Sequence, residues 1–123
     1  MNPWVVAISG ASGVIYGLRL VKTLAELGEP LILTVTDAAR LVIREELGME
    51  WENLENASSL AKLFDISCSE RIHYCHYKDL TAPIASGSFR TRGMIVVPCS
   101  VSSLSQIAQG ASQNLLERAA DVH

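Results

Sequence analysis

W-V-V-A-I-S-G-A-S-G-V-I-Y-G-L-R-L, from Trp4 to Leu20, decides how the rest of the chain is read. Trp4 to Ile8 is an unbroken apolar run, the pattern of a strand buried on both faces of a parallel sheet. Small residues follow at once. From Ser12 to Leu27 the residues Ile15, Leu18, Leu20, Val21, Leu24 and Leu27 recur at helical spacing, and Gly28 stands where a C-terminal cap belongs. The chain therefore opens with a strand, a turn of small residues and a helix.

Outward from that stretch the pattern repeats. Leu31 to Val35 is apolar and partly β-branched, and Asp37 begins a helical pattern through Leu41, Val42 and Leu47 that stops near Gly48. Glu50 to Lys78 is less regular, with a short helix expected at Ala57 to Phe64 and a strand around Ile72 to Tyr77. Asp79 to Gly93 has no periodicity and carries Pro83 and Gly87, so it reads as a long loop, a kind of segment that is often functional. Met94 to Val97 is a strand closed by Pro98, with helices expected from about Ser102 to Gln109 and Ser112 to Ala120. Strands alternating with helices predict one α/β domain over residues 1–123. Its sheet is mainly parallel and covered by helices on both faces, a Rossmann-like (flavodoxin-like) three-layer α/β/α fold.

Composition narrows the function classes. With 49% hydrophobic and 19% charged residues the chain can close a core, and its net charge of −3 offers no clustered basic surface for nucleic acid or an anionic membrane. The spacing of Cys68, Cys75 and Cys99 fits neither a zinc site nor a redox pair, so they read as reduced thiols, with Cys99 a buried small hydrophobe. His73 and His76 are expected on opposite faces of their strand and unable to share a metal; none is expected. The apolar run at the start is too short for a signal peptide or a membrane span, which points to the cytoplasm.

Open parallel sheets bind ligands beyond the carboxyl ends of their strands, which singles out two segments. In S-G-A-S-G, Ser9 to Gly13, the glycines permit a tight turn, and the helix start offers free N–H groups to an anion. In P-C-S-V-S-S, Pro98 to Ser103, several hydroxyls stand at another helix start. Each has a plainer reading, close helix packing for the first and an N-cap with exposed serines for the second. Two such turns at the same end of one sheet favour a nucleotide or flavin. The P-loop lysine is absent.

The stretch A-I-S-G-A-S-G-V-I-Y-G-L-R-L at Ala7 to Leu20 resembles the opening signature of UbiX-type flavin prenyltransferases, formerly called aromatic-acid decarboxylases. T-D-A-A-R at Thr36 to Arg40, A-S-G-S-F at Ala85 to Phe89, G-M-I-V-V-P-C-S at Gly93 to Ser100 and N-L-L-E-R-A-A-D-V at Asn114 to Val122 resemble that family in the same order. The resemblance implies that reduced FMN is bound and that a dimethylallyl group from dimethylallyl monophosphate is joined to its N5 and C6 atoms. The prenylated FMN is then passed to a UbiD-type decarboxylase, in quinone biosynthesis or aromatic-acid breakdown. A homo-oligomer, commonly a dodecamer, is implied as well, without a metal.

By the same resemblance, Gly10, Ala11 and Ser12 form the first FMN turn, Thr36 supplies a flavin-contacting hydroxyl, and Ser100, Val101, Ser102 and Ser103 form the second. Ser86, Gly87 and Ser88 lie beside the prenyl group. Glu46 handles the proton with Ser12 as its relay, and Arg118 belongs to the active-site region. Read without the family, Glu46 is a surface carboxylate beside Glu45, and Arg118 an ion-pair partner of Glu117 and Asp121. The family pattern continues beyond A-D-V, so 1–123 is expected to lack a C-terminal segment that holds the donor phosphate. The alternatives are a non-catalytic FMN-binding module and, disfavoured by A-S-G-S-F and P-C-S-V-S-S, a flavin-dependent cysteine decarboxylase.

Overall fold

The computed structural model describes residues 2–49 and 71–123. Its elements in chain order are β1 (Trp4–Ile8), α1 (Val14–Glu26), β2 (Leu31–Val35), α2 (Asp37–Leu47), β3 (Ile72–Tyr74), a 3-10 turn (Pro83–Ala85), β4 (Gly93–Val96), α3 (Val101–Gln109) and α4 (Leu115–Val122). The helix expected at 57–64 lies outside the described residues.

The four strands form one all-parallel sheet in the order β3-β2-β1-β4. β1 is central, with Val5 paired to Ile32 on one side and Met94 on the other. Because successive side chains of a strand point to opposite faces, the sheet feeds two cores. Val6, Ile8, Leu31, Leu33 and Val35 pack with Val14, Leu18 and Val21 of α1 and Ala39 and Ile43 of α2. Val5 and Ile32 pack on the other face with Ile84 of the 3-10 turn and Leu115 and Ala119 of α4. Burial of a side chain such as Leu33 or Ile43 contributes about 1.5–3 kcal/mol. The expected three-layer α/β fold is the one observed.

Helix boundaries follow from capping. α1 begins at Val14 rather than Ser12 because Gly13, at φ 92°, breaks the helical path and gives no side-chain cap. Thr36 caps α2 by accepting from the Ala39 N–H at 3.1 Å, and Ser100 caps α3 by accepting from the Ser103 N–H at 3.1 Å. The last helix, expected from Ser112, begins at Leu115. Asn114 Oδ1 accepts from the Glu117 N–H at 2.9 Å while Glu117 accepts from the Gln113 N–H at 3.1 Å, a reciprocal box that fixes the start.

Three further expectations are corrected. The strand around Ile72 to Tyr77 ends at Tyr74, so His76 lies beyond it, where its Nδ1 accepts from the Lys78 N–H at 3.1 Å. The aperiodic loop is not wholly irregular, since Pro83 starts a 3-10 turn that lowers Ile84 into the second core. Cys99 is exposed, because it stands in the turn after β4 rather than within the strand.

Candidate functional site

The chain runs from β1 to β2 and β3 on one side and then returns to place β4 on the other side of β1, so the sheet reverses its winding at β1. The crevice beyond the carboxyl ends of β1 and β4 is the switch point where ligands of open parallel sheets sit. The two serine-rich turns occupy it, and they are joined. The buried Ser9 hydroxyl donates to the Pro98 carbonyl at 2.8 Å and accepts from the Ser100 N–H at 2.7 Å, while the Ser9 N–H donates to the same Pro98 carbonyl at 3.2 Å. Thr36 joins from β2 through its N–H, which donates to the Ile8 carbonyl at 3.1 Å.

Close approach shapes this end of the sheet. A Cβ on Gly10 would stand 2.5 Å from Ala38 Cβ, and one on Gly17 would stand 2.3 Å from the Val97 carbonyl oxygen. Gly10 thus seats the start of α2 against the first turn, and Gly17 lets α1 lie on the end of β4. The helix-packing reading of these small residues is thus the one this close approach supports.

The donors of the two turns divide into used and unused. The Ala11 N–H donates to the Ser9 carbonyl at 2.9 Å, and Gly13 N–H donates to Glu46 Oε2 at 3.3 Å. The Ser100 and Ser103 N–H groups are taken by Ser9 and by the cap. Val101 and Ser102 open α3, where backbone N–H groups have no intrahelical acceptor, and Val101 is 84% exposed. They are the second turn's open donors at the positive end of a helix dipole. The Thr36 oxygen accepts at its cap, which leaves its proton for another partner.

Glu46 reaches the first turn from the last turn of α2. Its Oε1 accepts from the Ser12 hydroxyl at 3.0 Å while Oε2 takes the Gly13 N–H. The carboxylate is therefore anchored beside Ser12 rather than lying free on the surface, a geometry suited to passing a proton through the hydroxyl.

The remaining predicted residues form a second group. Arg118 Nε donates to the Ala85 carbonyl at 3.0 Å, and its Nη1 lies 3.6 Å from Asp121. Ser86 and Ser88 share a hydrogen bond of 2.8 Å, and a Cβ on Gly87 would lie 3.7 Å from Val122 Cβ. The 86–88 loop is thus stapled to α4. Among the described residues no hydrogen bond links it to the two turns. Arg118 does not pair with Glu117, whose carboxylate is committed to the cap of α4.

Sequence reasoning placed Ser9 in the first turn but gave it no role, although a polar residue buried at the end of a buried strand is a signal in itself. It also missed a network on the β2–β3 side. The Tyr77 hydroxyl donates to Asp37 Oδ2 at 2.5 Å, and Arg40 Nη2 donates to the Tyr74 hydroxyl at 2.8 Å. Burial and the bond to Asp37 push Tyr77 up to about 12. Nothing in the spacing of Asp37 and Tyr77 announces that pair. Partial burial raises the Cys99 thiol, so Cys99 is not a ready thiolate nucleophile although it is exposed. Among the described residues no three His, Cys, Asp or Glu side chains gather as a metal site, and no helix is long and apolar enough to cross a membrane.

Comparison with known proteins bears on this geometry. A family model described as Flavoprotein matches residues 1–123. A flavin prenyltransferase UbiX from Halalkalibacterium halodurans is 46% identical over 119 residues, covering 97% of this chain and 56% of that protein. The UbiX of Methanothermobacter thermautotrophicus is 43% identical over 118 residues, covering 96% and 55%. The chain thus spans little more than half the length of these curated relatives. A crystal structure of AnUbiX in complex with FMN and dimethylallyl pyrophosphate superimposes with a TM-score of 0.76 at 33% identity, covering 98% of this chain and 57% of that one. A dodecameric FMN-dependent UbiX-like decarboxylase from Escherichia coli O157:H7 gives a TM-score of 0.76 at 34% identity, covering 98% and 59%.

Proposed function

Because this chain belongs to the Flavoprotein family, we propose that it binds FMN across the two turns at the switch point and serves in flavin prenyl transfer. The observation that carries the reading is the joining of the Ser9–Gly13 and Pro98–Ser103 turns, with Glu46 delivered to Ser12 at 3.0 Å. The residues fit the ligand. Open N–H groups at the start of α3 suit a phosphate or a ring carbonyl, and Gly10, Ala11 and Ser12 present a small-residue surface against which a flat ring can lie.

Reduced FMN, when bound, supplies the electron-rich N5 that takes the dimethylallyl group. The protein's part is to place that group and to control protons and water. Thr36, Ser102 and the Val101 and Ser102 N–H groups orient the flavin, and positioning supplies much of the rate. Glu46, through the Ser12 hydroxyl, would accept the proton released from C6 as the ring closes, while the prenyl double bond opens and its other carbon takes up a proton. The 86–88 loop supplies small side chains beside the prenyl group, where exclusion of water protects an allylic cation. Arg118, bonded to the Ala85 carbonyl, positions that loop.

In the same reading the donor is a dimethylallyl phosphate ester, the monophosphate in preference, and the product goes to a UbiD-type decarboxylase, as in ubiquinone biosynthesis. The protein works in the cytoplasm as a homo-oligomer, a dodecamer by analogy with the E. coli protein, without metal or nucleic acid. Residues 1–123 supply the flavin-binding turns in this reading. A second reading is an FMN-binding module without transfer activity.

Anaerobic incubation with reduced FMN and either dimethylallyl monophosphate or dimethylallyl pyrophosphate, followed by mass analysis of the extracted flavin, separates the readings. A dimethylallyl mass increment establishes the transferase. Retained but unmodified FMN, with reaction by a version extended to family length, establishes the module. Failure of both versions to bind FMN overturns the flavin reading.

A further inference from the structure

We infer that Ser9 is a positioning residue whose hydroxyl clasps the two turns together and sets where the open N–H groups of Val101 and Ser102 point; the inference rests on the flavin reading. Ser9 is 1% exposed, so its hydroxyl cannot serve as a ligand contact at the surface, and both of its hydrogen-bonding capacities are directed across the switch point. As a donor it holds the Pro98 carbonyl at 2.8 Å, and as an acceptor it holds the Ser100 N–H at 2.7 Å. One side chain therefore grips both ends of the three-residue turn that launches α3.

The turn has few other restraints. Pro98 has no N–H, Cys99 is exposed, and β4 pairs only with β1 among the described residues. Ser100 is the N-cap of α3, so fixing its N–H fixes the first turn of the helix. The direction of the Val101 and Ser102 donors, and with it the width of the slot between the two turns, is set from β1. Ser9→Ala leaves the part-buried Ser100 N–H and one bond of the Pro98 carbonyl without their partner, and the start of α3 is then free to shift.

The test pairs a measurement without ligand with one using FMN as the probe, on the wild-type chain, Ser9→Ala and Ser9→Thr. By NMR-detected amide exchange, Ser9→Ala is expected to raise exchange at Ser100 about tenfold while Leu33 in the sheet centre changes less than about twofold, as loss of one buried bond dictates. In FMN titrations Ser9→Ala weakens binding about tenfold, and Ser9→Thr, which keeps the hydroxyl, restores both quantities to within about threefold. Ile43→Val, a core change remote from the turns, lowers stability while leaving FMN affinity unchanged, so global loosening is not mistaken for a shifted slot.

Unchanged exchange at Ser100 in Ser9→Ala overturns the clasp. Faster exchange with unaltered FMN affinity overturns its role in positioning, as does weakening of the same size in Ile43→Val. Absence of FMN binding by the wild-type chain instead overturns the flavin reading, and the exchange rates then judge the clasp alone.

Discussion

The two ends of the sheet are built from the same four strands and treat their polar groups in opposite ways. At the amino ends protein groups satisfy one another. Arg92 forms an ion pair with Glu29 at 2.6 Å and lies 5.1 Å over the Trp4 ring, its N–H donates to the Pro3 carbonyl at 2.9 Å, and Arg71 donates to the Gly28 carbonyl at 2.8 Å. At the carboxyl ends α1, α2 and α3 start, the Val101 and Ser102 N–H groups have no intrahelical acceptor, and Glu46 reaches the Gly13 N–H from α2. Strand polarity is the cause, since a parallel sheet gathers helix N-termini at one end and C-termini at the other. One end is closed by pairing and the other kept open, so stability and ligand chemistry are separable by mutation.

The largest expected effect comes from breaking the open end's geometry. Gly17→Ala puts a methyl 2.3 Å from the Val97 carbonyl oxygen. Because backbone must move to admit it, the expected cost is about 3 kcal/mol in urea unfolding. An unfolding midpoint equal to wild type would show that α1 can lift from β4 without penalty.

Glu46→Gln is expected to slow prenyl transfer about a hundredfold in whichever form of the enzyme turns over, measured as prenylated flavin formed per unit time. Its effect on stability stays within about 0.5 kcal/mol, because the carboxylate and its partners are exposed. Equal rates would return Glu46 to a purely structural place at the start of α1.

Loss of a cap is smaller. Thr36→Ala and Ser100→Ala are each expected to cost about 1 kcal/mol, with FMN affinity falling in both. A stability loss with FMN affinity intact would separate these hydroxyls from the ligand.

The alkaline limb of stability tests Tyr77. Its folded pKa of about 12 lies above the usual 10.0, so the phenol bonded to Asp37 contributes fully below pH 10.0 and its contribution is lost as pH rises through 12. Tyr77→Phe is expected to flatten stability over that window, and an unchanged profile would assign the alkaline loss to another group.

The smallest effect is expected at the closed end. Glu29→Gln breaks an exposed pair worth about 0–1 kcal/mol and leaves FMN affinity as it was. A change in affinity would mean that the two ends are coupled through the strands.

What the sequence made legible follows from which forces are local. β1, α1, β2 and α2 were readable because unbroken apolar runs, helical spacing and the glycines at 28 and 48 all act within a few residues. The start of α4 was misplaced because a capping box outweighed the serine at 112, and β3 was overextended because three residues of pairing give little signal. The two turns at the switch point were legible as small-residue segments after buried strands. The anchoring of Glu46 to Ser12 was not readable from spacing, since it joins positions 34 apart, and came only with the family resemblance. The Ser9 bridge and the Tyr77–Asp37 pair, across 91 and 40 positions, had no local signature at all.

The place of β4 beside β1 also has a consequence for how the chain reaches its native state. β4, the second neighbour of β1, follows it only after β2 and β3, so the closing of a very long loop precedes this pairing. β1, α1, β2 and α2 can associate early, with one flank of β1 still bare. The crevice between the two turns therefore forms only once β4 has joined β1. Until then Val5 and Ala7 lack the neighbour that completes their backbone pairing, and the nascent chain presents an open edge to other proteins in the cell.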